Sequence, residues 1–217
     1  MIKTTIKNKG FTLAELLMAV WVMSIILAAV AALSFALGSA NDSVTNNSVI
    51  YSKIRYTTMR LGEIVKNCKL ICANSGTSAA IWQADYNNDS KIEPNEMLYI
   101  ETGSGNNCIQ LFSYQANGAL AGTQLLLGDI LSGQAKTWLK ANCQESSVTL
   151  IDNCSYVNIT TDRPVAPWTL SKKLNIFFSV VNNKGRIENY QLTEYLRCWA
   201  GYLLDSSGQM LSSDDDL

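Results

Sequence analysis

Hydrophobic and polar positions alternate in three different ways along the chain, and each way predicts a different element. From 11 to 37 the residues are apolar almost without a break, with Thr12, Glu15, Ser24 and Ser34 the only clearly polar side chains. As a helix rising 1.5 Å per residue, that run is long enough to cross a hydrocarbon core of about 30 Å. From 38 to 48 polar residues take over, but no proline stops the chain. Ile50, Ile54, Leu61 and Val65 then recur at helical spacing, so the helix is expected to continue to about 67 with one apolar stripe for a core. Gly38 offers a place for a kink. Beyond 79 the pattern shortens to strand-like runs between turn residues, at 79–84, 97–101, 108–114, 148–151 and 156–160. The runs 174–181 and 186–192 flank Asn182-Asn183-Lys184-Gly185 and predict a hairpin, 195–203 reads as a last strand, and 122–140 holds a short helix despite two glycines. A helix followed by strands predicts an α+β fold.

Charge orients the apolar run. Lys3, Lys7 and Lys9 precede it and no acid stands before Glu15, so positive-inside bias keeps the first residues cytoplasmic and sends the rest outward. A net charge of -1 without another basic cluster makes nucleic acid a poor partner. The absence of histidine removes His-based triads and most catalytic zinc sites. All six cysteines (Cys68, Cys72, Cys108, Cys143, Cys154 and Cys198) lie beyond the apolar run, as a disulfide framework in an oxidising compartment requires. Buried thiols or a metal cluster are the alternatives, though Cys68 and Cys72 lack a second close pair to complete a zinc site. Connectivity stays open, with Cys143 and Cys154 weakly favoured because they are close in sequence.

Glu15 is the residue to explain, because a charge at the centre of a membrane helix costs about 2.5 to 3.5 kcal/mol and somewhat less near its end. A cleavable secretory signal ending at Leu37-Gly38-Ser39-Ala40 would leave it without a purpose. The stretch Lys9-Gly10-Phe11-Thr12-Leu13-Ala14-Glu15-Leu16-Leu17 resembles the class III signal of type IV prepilins and type II secretion pseudopilins. That resemblance implies cleavage after Gly10 by a membrane-embedded prepilin peptidase, methylation of the new N-terminus at Phe11, and retention of the apolar helix. It also implies a pilin-like fold, a long helix packed on an antiparallel sheet, divided as a leader 1–10, a membrane and assembly helix 11–38, an amphipathic half 39–67, a head 68–205 and a disordered acidic tail 206–217. Ala14 stands where family members commonly carry Ile, Val or Leu. Electrostatics gives Glu15 a role in such a family. When helices bundle, its carboxylate neutralises the amine at Phe11 of a neighbouring subunit, since a buried charge is tolerable when paired.

Asp85-Tyr86-Asn87-Asn88-Asp89-Ser90-Lys91-Ile92-Glu93-Pro94-Asn95-Glu96 matches the spacing of an EF-hand calcium loop. Asp85, Asn87, Asp89, the Lys91 carbonyl, Glu93 and Glu96 are the candidate ligands for a structural Ca2+. Ser90 stands where glycine normally permits the sharp turn, and the flanks read as strands. A plain solvated hairpin connection is the equal alternative, because Asp, Asn and Ser form turns whatever they bind.

The expected function is that of a structural subunit, a minor pseudopilin of a type II secretion filament. The alternative within the same architecture is a minor type IV pilin for adhesion, motility or DNA uptake. Its partners would be other pilin or pseudopilin subunits, the prepilin peptidase, an inner-membrane assembly platform and membrane lipid. A tethered hydrolase using a carboxylate pair is disfavoured, since the acids fall in one metal-like loop. An adhesin using Trp82, Trp168 and Trp199 competes with the commoner fate of such residues, burial in a core.

Overall fold

In the computed structural model, the described residues are 12–103, 105, 107–182, 185–205 and 208. The expected leader 1–10, Phe11 and, apart from Gly208, the expected tail 206–217 lie outside them. One helix, α1, spans Leu13–Asn67 through Gly38 without interruption. By contacts the chain divides into two units, Met1–Val49 and Ile50–Leu217.

The first unit contains the apolar length of α1. Across Leu13–Asn41 nothing is buried, and large side chains such as Leu16, Trp21, Ile25, Leu27 and Leu33 are all exposed. The hydroxyl of Ser24 donates back to the carbonyls of Val20 at 2.8 Å and Trp21 at 2.9 Å, which satisfies it inside the helix. This is a helix long and apolar enough to cross a membrane.

The second unit contains the amphipathic end of α1 and two antiparallel sheets. Strands β1 (Leu70–Asn74), β2 (Ser78–Trp82), β3 (Met97–Thr102), β4 (Ile109–Gln115) and β5 (Gln144–Ile151) form the first sheet in sequence order. Strands β6 (Cys154–Thr161), β7 (Lys173–Val181) and β8 (Ile187–Tyr195) form the second. Alternation along the first sheet sends successive residues to opposite faces. Ile71, Ala79, Ile81, Leu98 and Ile100 join Ile54, Leu61 and Val65 of α1, together with Val157, Ile159, Ile176 and Phe178 of the second sheet, in one core. Leu70, Cys72, Ala80, Trp82, Met97 and Tyr99 face the other way, under α2 (Leu127–Ser132) and α3 (Gln134–Asn142). The five-stranded sheet is therefore covered on both faces, which is why β2 and most of β3 are apolar at nearly every position.

Polar contacts fix this end of α1 against both sheets. Thr57 donates to the Leu150 carbonyl at 2.9 Å, Tyr51 to Glu188 at 2.8 Å, and Lys66 pairs with Glu194 at 3.3 Å. Gly62 lies where an added Cβ would come within 3.0 Å of the Glu194 carboxylate, so glycine permits this close approach.

The α+β pilin-like layout expected from the sequence is the one observed. Several boundaries differ. Strand β1 has no counterpart in the sequence pattern; it starts three residues after α1 ends, without a glycine or proline to mark it. The expected short helix at 122–140 is two helices, separated by Gly133 in the left-handed region at φ 80°. Residues 195–203 are not a strand: β8 ends at Tyr195, and a short 3-10 turn covers Gly201–Leu203. The hairpin is as predicted, with Gly185 at φ 73° and its N–H bonded to the Asn182 carbonyl at 2.9 Å.

Candidate functional site

The start of α1 carries the chemistry that the sequence singled out. Gly10 and Phe11 lie outside the described residues, so the site begins at Thr12. Thr12 precedes the first helical residue, and Glu15 stands three positions after it, the arrangement of a capping box. The Thr12 N–H donates to Glu15 Oε2 at 2.9 Å, the Thr12 hydroxyl donates to the same oxygen at 3.0 Å, and the Glu15 N–H donates to Thr12 Oγ1 at 3.3 Å. Two otherwise orphaned backbone donors of the helix end are satisfied in this way. Sequence reasoning gave Glu15 a role and Thr12 none, although a Thr-x-x-Glu spacing ahead of an apolar run is a recognisable helix-start signal. The carboxylate is solvent-accessible, and the second oxygen, Oε1, is free of any bond to Thr12.

The acidic loop folds on itself. Asp85 Oδ1 accepts from the Asp89 N–H at 3.1 Å, and Asp85 Oδ2 accepts from the Ser90 N–H at 3.2 Å and from Lys69 Nζ at 3.1 Å. Asn87 Oδ1 shares the Asp89 N–H at 3.2 Å, and Asp89 Oδ1 accepts from the Lys91 N–H at 2.9 Å. Asn88 and Ser90 take left-handed backbone, at φ 58° and 59°, so Ser90 adopts the conformation for which glycine is the usual residue. Burial pushes the Glu93 carboxyl up, and the neighbouring charges of Asp89, Glu96 and Asp85 add to that rise. Burial acts the same way on Asp85, but Lys69 and the loop amides outweigh it and hold that carboxyl low.

Glu96 has a different fate from the one its position implied. It is 1% exposed, and Trp82 Nε1 donates to its Oε2 at 2.9 Å while the Tyr86 N–H donates to Oε1 at 2.6 Å. Both carboxylate oxygens thus face protein donors at the edge of the second core, where Trp82 is fully buried. Among the described residues no group of three or more Cys, Asp or Glu side chains is gathered closely enough to hold a metal ion. The oxygen donors are of the class a hard cation takes, but in this arrangement Lys69 and Trp82 occupy two of them.

All six cysteines are thiols in the structure. Cys143 immediately precedes the eight-residue strand β5 and Cys154, weakly favoured as its partner, opens β6 three residues past the strand's end, so the length of β5, roughly 25 Å at 3.3 Å per residue, stands between them. A disulfide needs Cα atoms within about 7 Å, so this pairing is ruled out. The three tryptophans weighed for an adhesin pack with the cores: Trp82 is fully buried, Trp168 packs against the first core and Trp199 against both.

The profile of the prokaryotic N-terminal methylation motif matches residues 6–31. The chain carries the class III signal of type IV pilins and pseudopilins, and its long α1 with antiparallel sheets behind is consistent with their fold. That motif marks structural subunits which assemble with others of their kind and are processed by a prepilin peptidase. Comparison with curated proteins and with solved structures finds no match.

Proposed function

We propose that this chain is a minor pseudopilin of a type II secretion filament, held in the inner membrane by Leu13–Asn41 with its globular unit in the periplasm. A prepilin peptidase removes residues 1–10, and the subunit enters the filament beside sibling subunits through an inner-membrane assembly platform. One observation carries this reading: a lone carboxylate, Glu15, on the wholly exposed apolar helix Leu13–Asn41, inside the methylation motif. In a bundle of such helices the free Oε1 accepts the amine of a neighbour's Phe11. Breaking a buried pair of this kind costs about 3 to 5 kcal/mol, because one charge is left uncompensated. Glu15→Ala is therefore expected to leave membrane insertion and leader removal intact and to abolish most incorporation into a filament. Site-specific crosslinking to sibling subunits measures this, and wild-type crosslinking by the variant would overturn the pairing. Deletion of the gene separates the secretion system from a type IV pilus: loss of exoprotein release supports the first, loss of surface pili with normal secretion the second.

The acidic loop is proposed to take a structural calcium ion, with oxygens from Asp85, Asn87, Asp89, Glu93 and the Lys91 carbonyl, and from Glu96 only if it leaves Trp82. The support is the loop spacing and the gathering of its oxygen side chains around Asp85 and Asp89. An ion bound by the folded state alone adds about 2.7 kcal/mol at a hundredfold excess over its Kd. Melting is expected to rise with calcium and fall with chelator; an unchanged midpoint refutes the site.

A further inference from the structure

The two cores sort the six cysteines. Cys68 and Cys154 belong to the core under α1, while Cys72 lies in the core on the opposite face of the first sheet and Cys143 packs against that same core. Cys68 and Cys72 are four residues apart in sequence, but their side chains belong to different cores. Cys72 is on β1 and Cys143 immediately precedes β5, the two outer strands of a five-stranded sheet. At about 4.8 Å between neighbouring strands they are roughly 19 Å apart, well beyond the reach of a disulfide.

Two other pairs are brought together by backbone hydrogen bonds. The Arg197 N–H donates to the Lys66 carbonyl at 2.8 Å, and the Ala200 N–H donates to the Lys69 carbonyl at 3.0 Å. These two bonds bracket Cys68 on one chain segment and Cys198 on the other. Segments bonded in this way run about 5 Å apart, within the roughly 4.4 to 6.8 Å window for the Cα atoms of a disulfide. On the other side of the unit, the Cys154 N–H donates to the Asn107 carbonyl at 2.8 Å, which sets Cys154 beside Cys108. Gly103 lacks a Cβ, and the Cys108 sulfur lies in the space this leaves. Cys154 and Cys108 are near enough to influence each other electrostatically, and Cys68 feels both Cys72 and Cys198; the backbone bonds, not electrostatics, single out Cys198 as its neighbour across the two segments.

We propose that Cys68–Cys198 and Cys108–Cys154 are disulfides in the exported protein, and that Cys72 and Cys143 remain thiols. The proposal rests on the reading that the globular unit lies outside the cytoplasm. Each bond forms by exchange with an oxidised dithiol oxidoreductase: the two cysteines lose two protons and two electrons, and the oxidant's disulfide is reduced to two thiols. Each pair offers one accessible partner, exposed Cys198 or half-buried Cys108, for the first attack. The buried partner then resolves the mixed disulfide, which favours pairing with the adjacent sulfur over exchange with solvent thiols. Burial raises the thiols of Cys68, Cys72 and Cys154 alike, so it is the position beside an accessible cysteine that decides which of them resolves a mixed disulfide. Cys68 precedes β1 in the first sheet and Cys198 follows β8 in the second, while Cys108 and Cys154 join the start of β4 to the start of β6. Both bonds therefore staple the two sheets to each other, across the core that α1 shares with them.

The test uses the full-length protein extracted from its membrane in detergent, with free thiols blocked by N-ethylmaleimide under denaturing conditions. Digestion without reduction, by trypsin and then by a Glu- and Asp-cleaving protease, reads the pairing by mass. Lys69 separates Cys68 from Cys72, and Glu145 and Asp152 separate Cys143 from Cys154, so each cysteine falls on its own peptide. The expected result is the two named cross-linked peptides, with maleimide on Cys72 and Cys143. A cross-link to Cys72 or Cys143 overturns the proposal. Should all six carry maleimide, the same folded protein is incubated with oxidised and reduced glutathione. Formation of the two named pairs there supports the pairing and counts against export of the unit, whereas other pairs or none overturn the pairing itself. Cys198→Ser should in turn leave Cys68 as a new thiol and lower the melting midpoint by several degrees, with no added effect of reductant on that bond.

Discussion

The two stretches of α1 are one helix by backbone and two by side chain. Along Leu13–Asn41 apolar residues surround the axis and none is buried. In the second unit only a stripe is apolar, and Ile54, Thr57, Leu61 and Val65 are buried while Tyr56 and Met59 stay exposed. Helical hydrogen bonding is the same in both, so the difference teaches that the surroundings each stretch is written for, lipid or a protein core, are encoded in how far the apolar positions wrap around the axis.

Substitutions in the two stretches should separate these roles. The largest effect on folding is expected from Leu61→Ala, which empties a fully buried site and should cost about 2 to 5 kcal/mol of stability. Leu27→Ala, at a position 67% exposed, should leave unfolding of the globular unit unchanged. Denaturant titration followed by fluorescence checks both, and equal losses would break the distinction. A smaller effect is expected from Thr57→Val, which keeps the shape but leaves the buried Leu150 carbonyl without its donor, at about 1 to 3 kcal/mol.

The smallest comes from the pair Lys53–Asp152, 2.7 Å apart and 43% and 58% exposed. The Lys53 hydrogen bond holds the Asp152 carboxyl below its usual range. A depressed folded value means that the pair stabilises above the ordinary carboxylate pKa of about 3.9 and that this contribution is lost as pH falls through the lower folded value. Solvent screening limits it to roughly 0 to 1 kcal/mol. Melting of wild type and Lys53→Gln should therefore differ slightly at neutral pH and converge in acid.

Legibility followed the range of the interactions. The apolar run, the amphipathic stripe and the glycine hairpin were readable because each depends on residues close in sequence. Strand β1 was not, because the chain turns from α1 into Leu70 with no breaker residue, and its identity as a strand comes from pairing with Trp82, Ile81, Ala80 and Ala79. The loop at 85–96 was legible as a turn rich in oxygen ligands. The use of Glu96 was not, because its partner Trp82 is supplied by β2 and its burial by the core above α2 and α3.

The sequence by itself determined that this protein carries a prepilin-type signal, a carboxylate at the third residue of α1 and a helix fit for a membrane, since hydrocarbon is a uniform surrounding that asks only for a continuous apolar stretch. Only the tertiary structure decided which cysteines are neighbours, which face of the first sheet each occupies, and that Glu96 belongs to Trp82. Those outcomes depend on register and layer order, which bring together residues up to 130 positions apart (Cys68 and Cys198), and no local pattern encodes such meetings.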